Sequence, residues 1–263
     1  MLGAVVILGV VLFLFSRAEQ LPAPDLPEAI SYEEIVQEEF EGDLFEEGVE
    51  EQFELEEEEE ELIETEEVVI EPELELETSV NLAVPFTPQA PHANWEMPYQ
   101  EACEEASILM VRAYYENQSK GLLDANQIDA ALFDMVAYQE KELGFTPDMT
   151  AEETVEFITE YYGYTTLLLE DPTVEQLKDH LRAGRPVLIP AAGRQLGNPY
   201  FTAPGPIYHM LVLRGFTSTQ FIVNDPGTRR GEAYLYDTET IMTAMHDWNG
   251  GDVENGKKVA III

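Results

Sequence analysis

Cysteine and basic residues are what this chain lacks. One cysteine among 263 residues excludes an internal disulfide framework and any metal site built from several thiolates. Thirteen Lys and Arg stand against 53 Asp and Glu, a net charge of −40. Such a surface repels phosphate backbones and no basic stripe compensates, so nucleic-acid binding is excluded as a function class. Neither a Gly-rich phosphate loop nor an internal repeat is present, and no cofactor or metal is expected.

Charge is unevenly spread. Glu19 to Glu77 holds 27 acidic residues and no Lys or Arg, whereas the rest of the chain after residue 80 has 26 acidic and 12 basic residues. The acidic stretch, with Glu56 to Glu61 at its densest, repels itself and offers too little apolar surface to offset the entropy of ordering. It reads as a disordered linker over 19–79. Ile35, Phe40, Phe45, Phe53 and Leu55 offer short amphipathic turns for a partner, but a solvated stalk is the simpler role. Before it, Leu2 to Phe15 is an apolar run closed by Ser16-Arg17-Ala18. It is shorter than the ~20 residues of a spanning helix, and residues 1–18 read as a signal peptide or an N-terminal membrane anchor. The expected location is the cell membrane, with the domain outside the cytoplasm, or secretion. Oligomeric state is not legible.

From residue 80 to 263 the texture is that of one folded domain. Apolar residues at helical spacing predict a helix over Ala102 to Tyr115, followed by helices over Asp124 to Leu143 and Thr150 to Tyr162. Thr150-Ala-Glu-Glu153 is a capping-box pattern. A fourth helix spans Thr173 to Ala183, with Gly184 as its C-cap. Strands are predicted at 165–169, 186–190, 207–216, 220–224, 233–236 and 259–263. Helices first and antiparallel strands later point to a two-layer α+β domain.

Cys103 falls in the first turn of the first of these helices, where partial positive charge from the backbone N–H groups favours a thiolate. Glu104 and Glu105 oppose this only if they point back at the sulfur; adjacent positions project elsewhere, so the dipole is expected to win. A thiolate there still needs a base. Of four histidines, His92 lies in a Pro-rich loop, His180 on a polar helix face and His246 near the C-terminus. His209 begins an alternating strand that turns at Phe216 to Gln220 and returns as Phe221-Ile-Val-Asn-Asp-Pro-Gly227. Two tight-turn registers set His209 opposite Pro226 or opposite Asp225, within reach of the Asp225 carboxylate in both. That carboxylate would fix the imidazole tautomer and stabilise imidazolium. The plain alternatives are a buried structural thiol, a strand histidine and an ordinary Asp-Pro-Gly turn. A zinc site on the same three residues lacks the clustered spacing of structural sites.

These residues resemble a known family. Val84-Pro-Phe-Thr-Pro-Gln89, Trp95, Cys103-Glu-Glu-Ala-Ser107, Leu181-Arg-Ala-Gly-Arg-Pro-Val187, His209 with Gly215, and Asn224-Asp-Pro-Gly227 are similar, in order, to the signature segments of the bacteriocin-leader-processing (double-glycine) cysteine peptidases. The likeness is to stand-alone, peptidase-like members. The resemblance implies a papain-like fold, Cys103 as nucleophile, His209 as general base and acid, Asp225 as its orienter, and Gln89 as a side-chain donor to the oxyanion hole. Gln100 is a nearer rival for that last role. The implied partner is a peptide or protein substrate. Glu104 stands where the transporter-linked members have Gly, and Asn117 to Tyr164 is longer than the family minimum. Two other readings remain: a papain-like peptide- or cell-wall-binding module without turnover, and a protein whose working part is the acidic stalk. Pro199 to Pro206 is read as a cleft wall or a plain loop.

Overall fold

The structure is a computed structural model that describes residues 26–37, 78–144 and 147–263. The apolar segment 1–18 therefore lies outside the described residues, as do Phe40, Phe45, Phe53 and Leu55 of the acidic stretch. No helix among the described residues is long and apolar enough to cross a membrane.

The architecture is α+β, as the order of elements predicts. Helices α1 (Cys103–Tyr115), α2 (Ala125–Tyr138), α3 (Ala151–Tyr162), α4 (Val174–Arg182) and α5 (Thr238–Ala244) accompany an antiparallel seven-stranded sheet. Its strands are β1 (Val80–Asn81), β2 (Leu167–Glu170), β3 (Val187–Ala192), β4 (Tyr208–Phe216), β5 (Gln220–Asn224), β6 (Tyr234–Asp237) and β7 (Val259–Ile262). The order is β2-β7-β3-β4-β5-β6, with β1 pairing the far end of β4. Thr150 and Glu153 form the expected reciprocal cap, as do Thr173 and Gln176 at α4. Gly184 takes a left-handed φ of +69° just after the Ala183 cap. Helix α5 and strand β1 escape the periodicity reading because each is too short to display a period.

β4 is the axis of the molecule, buried along its whole length with α1 and α4 packed on it. Its far end explains Gly215. A Cβ there would stand 2.1 Å from the Val80 carbonyl oxygen, so only glycine lets β1 approach. The β4–β5 hairpin departs from both expected registers. Phe216 pairs with Phe221 and Val212 with Asn224, with a bulge between Leu213 and Gly215. The turn is thus wider than the tight forms assumed. Continued past its end, this register would set Asp225 opposite Leu211, one same-face step from His209, so any contact between the two is diagonal.

Residues 26–37 fall in the stretch expected to be a disordered linker, and there that expectation fails. Ile30 bridges to Leu82, its N–H donating to Asn81 O at 2.8 Å and its carbonyl accepting from Ala83 N–H at 2.7 Å. A Ser31–Glu34 reciprocal cap starts a short helical stretch at 32–37. Tyr32 sets its ring edge-on to Tyr115 at 5.0 Å, and Ile35 packs so tightly over Gly184 that a Cβ would lie 2.5 Å from its Cδ1. Composition averaged over 60 residues hides this: Ile30, Tyr32 and Ile35 find an apolar face supplied by distant parts of the chain.

Candidate active site

Four segments converge on one cleft of about 520 Å³, lined by Gln89, Cys103 and His209 among others. The first is the entrance to α1. Cys103 is the first residue of that helix, with Ala102 as N-cap, so its backbone N–H belongs to the turn that has no intrahelical acceptor. The sulfur lies against β4, with the Met210 backbone N–H directed at it. His209 precedes Met210 on the same strand.

The second and third segments hold the imidazole. His209 Nε2 lies 2.8 Å from Asp225 Oδ1 with both side chains buried. Asp225 Oδ1 also accepts Gly227 N–H at 2.9 Å, and Oδ2 accepts Asn198 Nδ2 at 2.9 Å and the Tyr236 hydroxyl at 2.7 Å. Burial by itself would raise this carboxyl; the His209 imidazole beside it, with the Tyr236 and Gly227 donors, overcomes that and holds its pKa below the usual range. An ionised Asp225 can only accept, so Nε2 of His209 carries the proton and, in the neutral ring, Nδ1 is the basic nitrogen. Nδ1 has no hydrogen-bond partner among the described residues. Two close contacts fix the ring: Phe201 stands edge-on at 5.4 Å, and a Cβ on Gly227 would come within 2.9 Å of its Cε1.

The fourth segment is the run from Val84 to Gln89. Asn224 Nδ2 donates to Val84 O and Pro85 O, and Gln89 N–H donates to Pro226 O at 2.9 Å, which docks this run beside Asp225. Arg214, buried and lowered to about 10 by desolvation, ties Asn81 and Val84 to the same place. Gln89 reaches the cleft, but its amide nitrogen is engaged by Tyr99 O at 2.9 Å and Gln100 O at 3.1 Å. Both N–H bonds are in use, leaving none directed at an oxyanion in this conformation. Gln100 also lines the cleft, with its own amide nitrogen on Met97 sulfur at 3.2 Å.

The expectation that Glu104 and Glu105 project away from the sulfur is overturned. Both are fully buried, and Cys103 Sγ donates to Glu104 Oε2 at 3.0 Å. Glu104 Oε1 accepts Met149 N–H at 3.1 Å. Burial pushes the Cys103 thiol well up, and the Glu104 carboxylate adds to this by charge and by accepting the S–H; the Met210 N–H opposes. The helix dipole therefore does not win here. The carboxyls respond in turn: burial, then Glu105, raises Glu104, and burial raises Glu105 to about 7. Adjacent helix positions do diverge, but the turn at Met149 meets Glu104, and α2 with Gln139 beyond its end meets Glu105, so both carboxyls are enclosed.

Cys103, His209 and Gln89 thus meet in one cleft, with Asp225 behind the histidine. Asn198 and Tyr236, which complete the hold on Asp225, had no signal in the sequence: one reads as a turn residue, the other as a strand aromatic. The stretch from Pro199 forms a wall, contributing Tyr200, Phe201, Thr202, Gly205 and Pro206. The described residues of the long stretch from Asn117 to Tyr164 do not line the cleft; they support the site from behind through Met149 on Glu104 and Asp129 on the Tyr99 hydroxyl. Among the described residues no group of three or more His, Cys, Asp or Glu is placed to hold a metal ion.

Comparison with known proteins agrees with the resemblance. The model of the Peptidase_C39 like family matches residues 81–250. Among solved structures the chain is similar to a Bacillus anthracis protein described as a "putative C39-like peptidase", at 16% sequence identity and a TM-score of 0.47, over 71% of this chain and 98% of that one. No curated protein sequence matches the chain.

Proposed function

The chain belongs to the Peptidase_C39-like family, and on that premise we propose that it is a cysteine hydrolase cleaving amide bonds, those of peptides foremost, through Cys103, His209 and Asp225. The observation that carries the reading is that His209, held by Asp225 at 2.8 Å, and Cys103 line a single cleft. His209 Nδ1 takes the thiol proton, the thiolate attacks the substrate carbonyl, and the resulting imidazolium returns the proton to the leaving amine. Water, deprotonated by the same nitrogen, then releases the acyl group. Asp225 positions the ring and stabilises its charged form.

The backbone N–H of Cys103 supplies one oxyanion donor. Gln89 supplies the second by swinging from the Tyr99 and Gln100 carbonyls as substrate enters. Such a donor is worth about 3 kcal/mol of transition-state stabilisation. Residues 1–18 serve as export signal or anchor and place the domain outside the cytoplasm; the apolar run ahead of an acidic stretch supports this part.

A second reading, a peptide-binding module without turnover, is favoured by one observation: the thiol is held as S–H on Glu104. Peptide turnover by wild type and Cys103→Ala separates the two, because a thiol held as S–H reacts slowly with alkylating probes under either reading. Loss of peptidase activity in Cys103→Ala is the expected result. Hydrolysis undiminished in Cys103→Ala refutes the mechanism, and a folded wild-type chain that binds peptides but cleaves none selects the binding module.

A further inference from the structure

The rim of the cleft has a charge opposite to that of the protein. After residue 80 the chain has 26 acidic against 12 basic residues, yet among the described residues no Asp or Glu lines the cleft, whereas Arg229 and Arg230 both do. Both arginines are exposed, and neither forms an ion pair among the described residues. Arg112 and Arg182, elsewhere on the surface, do find carboxylates. Arg230 lies over the Tyr200 ring, 4.8 Å from its centroid. That stacking occupies one face of the guanidinium and leaves its N–H edge free for a carboxylate. Arg194 adds a third exposed cation on the neighbouring wall, its Nε directed at Gly205 O at 3.4 Å.

We propose that Arg229 and Arg230 select substrates bearing an acidic side chain, so that the enzyme takes peptides with Asp or Glu beside the scissile bond in preference to neutral ones. The inference rests on the reading of this cleft as the peptide-binding site. Its physical logic is contrast. The folded part, with its excess of acidic over basic residues, repels acidic peptides. A concave site with two uncompensated guanidiniums concentrates the opposite field at the place where the nucleophile waits. Phe201, Pro206 and Trp95 on the remaining walls accept apolar neighbours of the acidic residue. A guanidinium fork is matched in geometry to a carboxylate and offers nothing comparable to an amide of the same shape, so Glu and Gln are the informative pair.

The test uses the full chain and short fluorogenic peptides that carry Glu at one position in turn, each matched by its Gln counterpart. kcat/KM is measured for wild type and for Arg229→Gln/Arg230→Gln, and binding of the same peptides to Cys103→Ala is followed through Trp95 fluorescence. At one or more positions the Glu peptide is expected to be favoured about fivefold. That ratio is expected to shrink in about 0.5 M salt and to fall toward one in the double arginine variant. Circular dichroism confirms that the variant is folded. Equal kcat/KM and equal binding for Glu and Gln peptides at every position overturn the selectivity and leave the hydrolase reading standing. Glu-selective binding without cleavage by wild type supports the selectivity and overturns the hydrolase reading.

Discussion

Tyr236→Phe removes a single oxygen behind the candidate catalytic histidine and is the sharpest probe of how the site is built. Its hydroxyl donates to Asp225 Oδ2 at 2.7 Å and accepts from Asn198 Nδ2 at 2.8 Å, all within the protein interior. The phenol is pushed far above its ordinary pKa, first by burial and then by the Asp225 charge, so it stays a donor at every accessible pH. A hydrogen bond to a buried charge contributes about 1.5–3 kcal/mol. At neutral pH the substitution should therefore lower the unfolding free energy by about that amount and Tm by about 3–12 °C.

The effect has a sign in pH. Asp225 is depressed in the folded chain, so its contribution is present above the unfolded carboxyl pKa of about 3.9 and is lost as pH falls through its folded value. The difference between variant and wild type should accordingly narrow in acid. Asn198→Ala strips the same oxygen of its other donor, and because the two share Asp225 Oδ2 the double variant should be non-additive by more than about 0.5 kcal/mol. Urea unfolding at several pH values measures all three quantities, and kcat on a cleaved peptide should fall with little change in KM. Additive losses, or a Tyr236→Phe chain as stable as wild type at pH 7, would refute this account of the carboxylate's hold.

Other consequences follow from the buried carboxyls and the close contacts. Glu104→Gln keeps an acceptor for Met149 N–H but removes a carboxyl whose ionisation in alkaline solution opposes the thiolate, so alkylation should begin to rise at lower pH than in wild type; an unchanged pH profile would show that burial alone controls the thiol. Glu105, raised to about 7, binds its proton more tightly in the folded than in the unfolded chain, so stability should decline by about 3 kcal/mol between about pH 4.5 and pH 7. Glu105→Gln should make that decline shallower in denaturant titrations, leaving the part contributed by Glu104, which is raised as well. Gly215→Ala forces a methyl group to 2.1 Å from Val80 O and should cost about 1–3 kcal/mol by parting β1 from β4, detectable as faster amide exchange at Asn81 and Leu82. Tyr32→Ala should loosen the docked 26–37 segment, read as new proteolytic cleavage there while the cleft's thiol reactivity is unchanged.

The sequence by itself determined the parts of this protein that are local. Helix α1 and its cysteine tip, the caps of α3 and α4 and the strand carrying His209 can be read from spacing and from side chains that bond their own backbone a few residues away. The acidic excess before residue 78 needs only counting. Tertiary structure decided what depends on partners distant in the chain. The hairpin register moved because a bulge at Arg214 and a wider turn were selected by the packing of β1 and Val84 around it. Ile30, Tyr32 and Ile35 became part of the fold because Asn81, Tyr114, Tyr115 and Gly184 were there to receive them. Glu104, expected to point away from the sulfur, became the thiol's acceptor because the Met149 turn closes over it. Asn198 and Tyr236 were recruited to a carboxylate that neither touches in sequence. A hydrogen bond or a desolvated charge is a property of the whole enclosure, and composition and periodicity describe one side of that enclosure at a time.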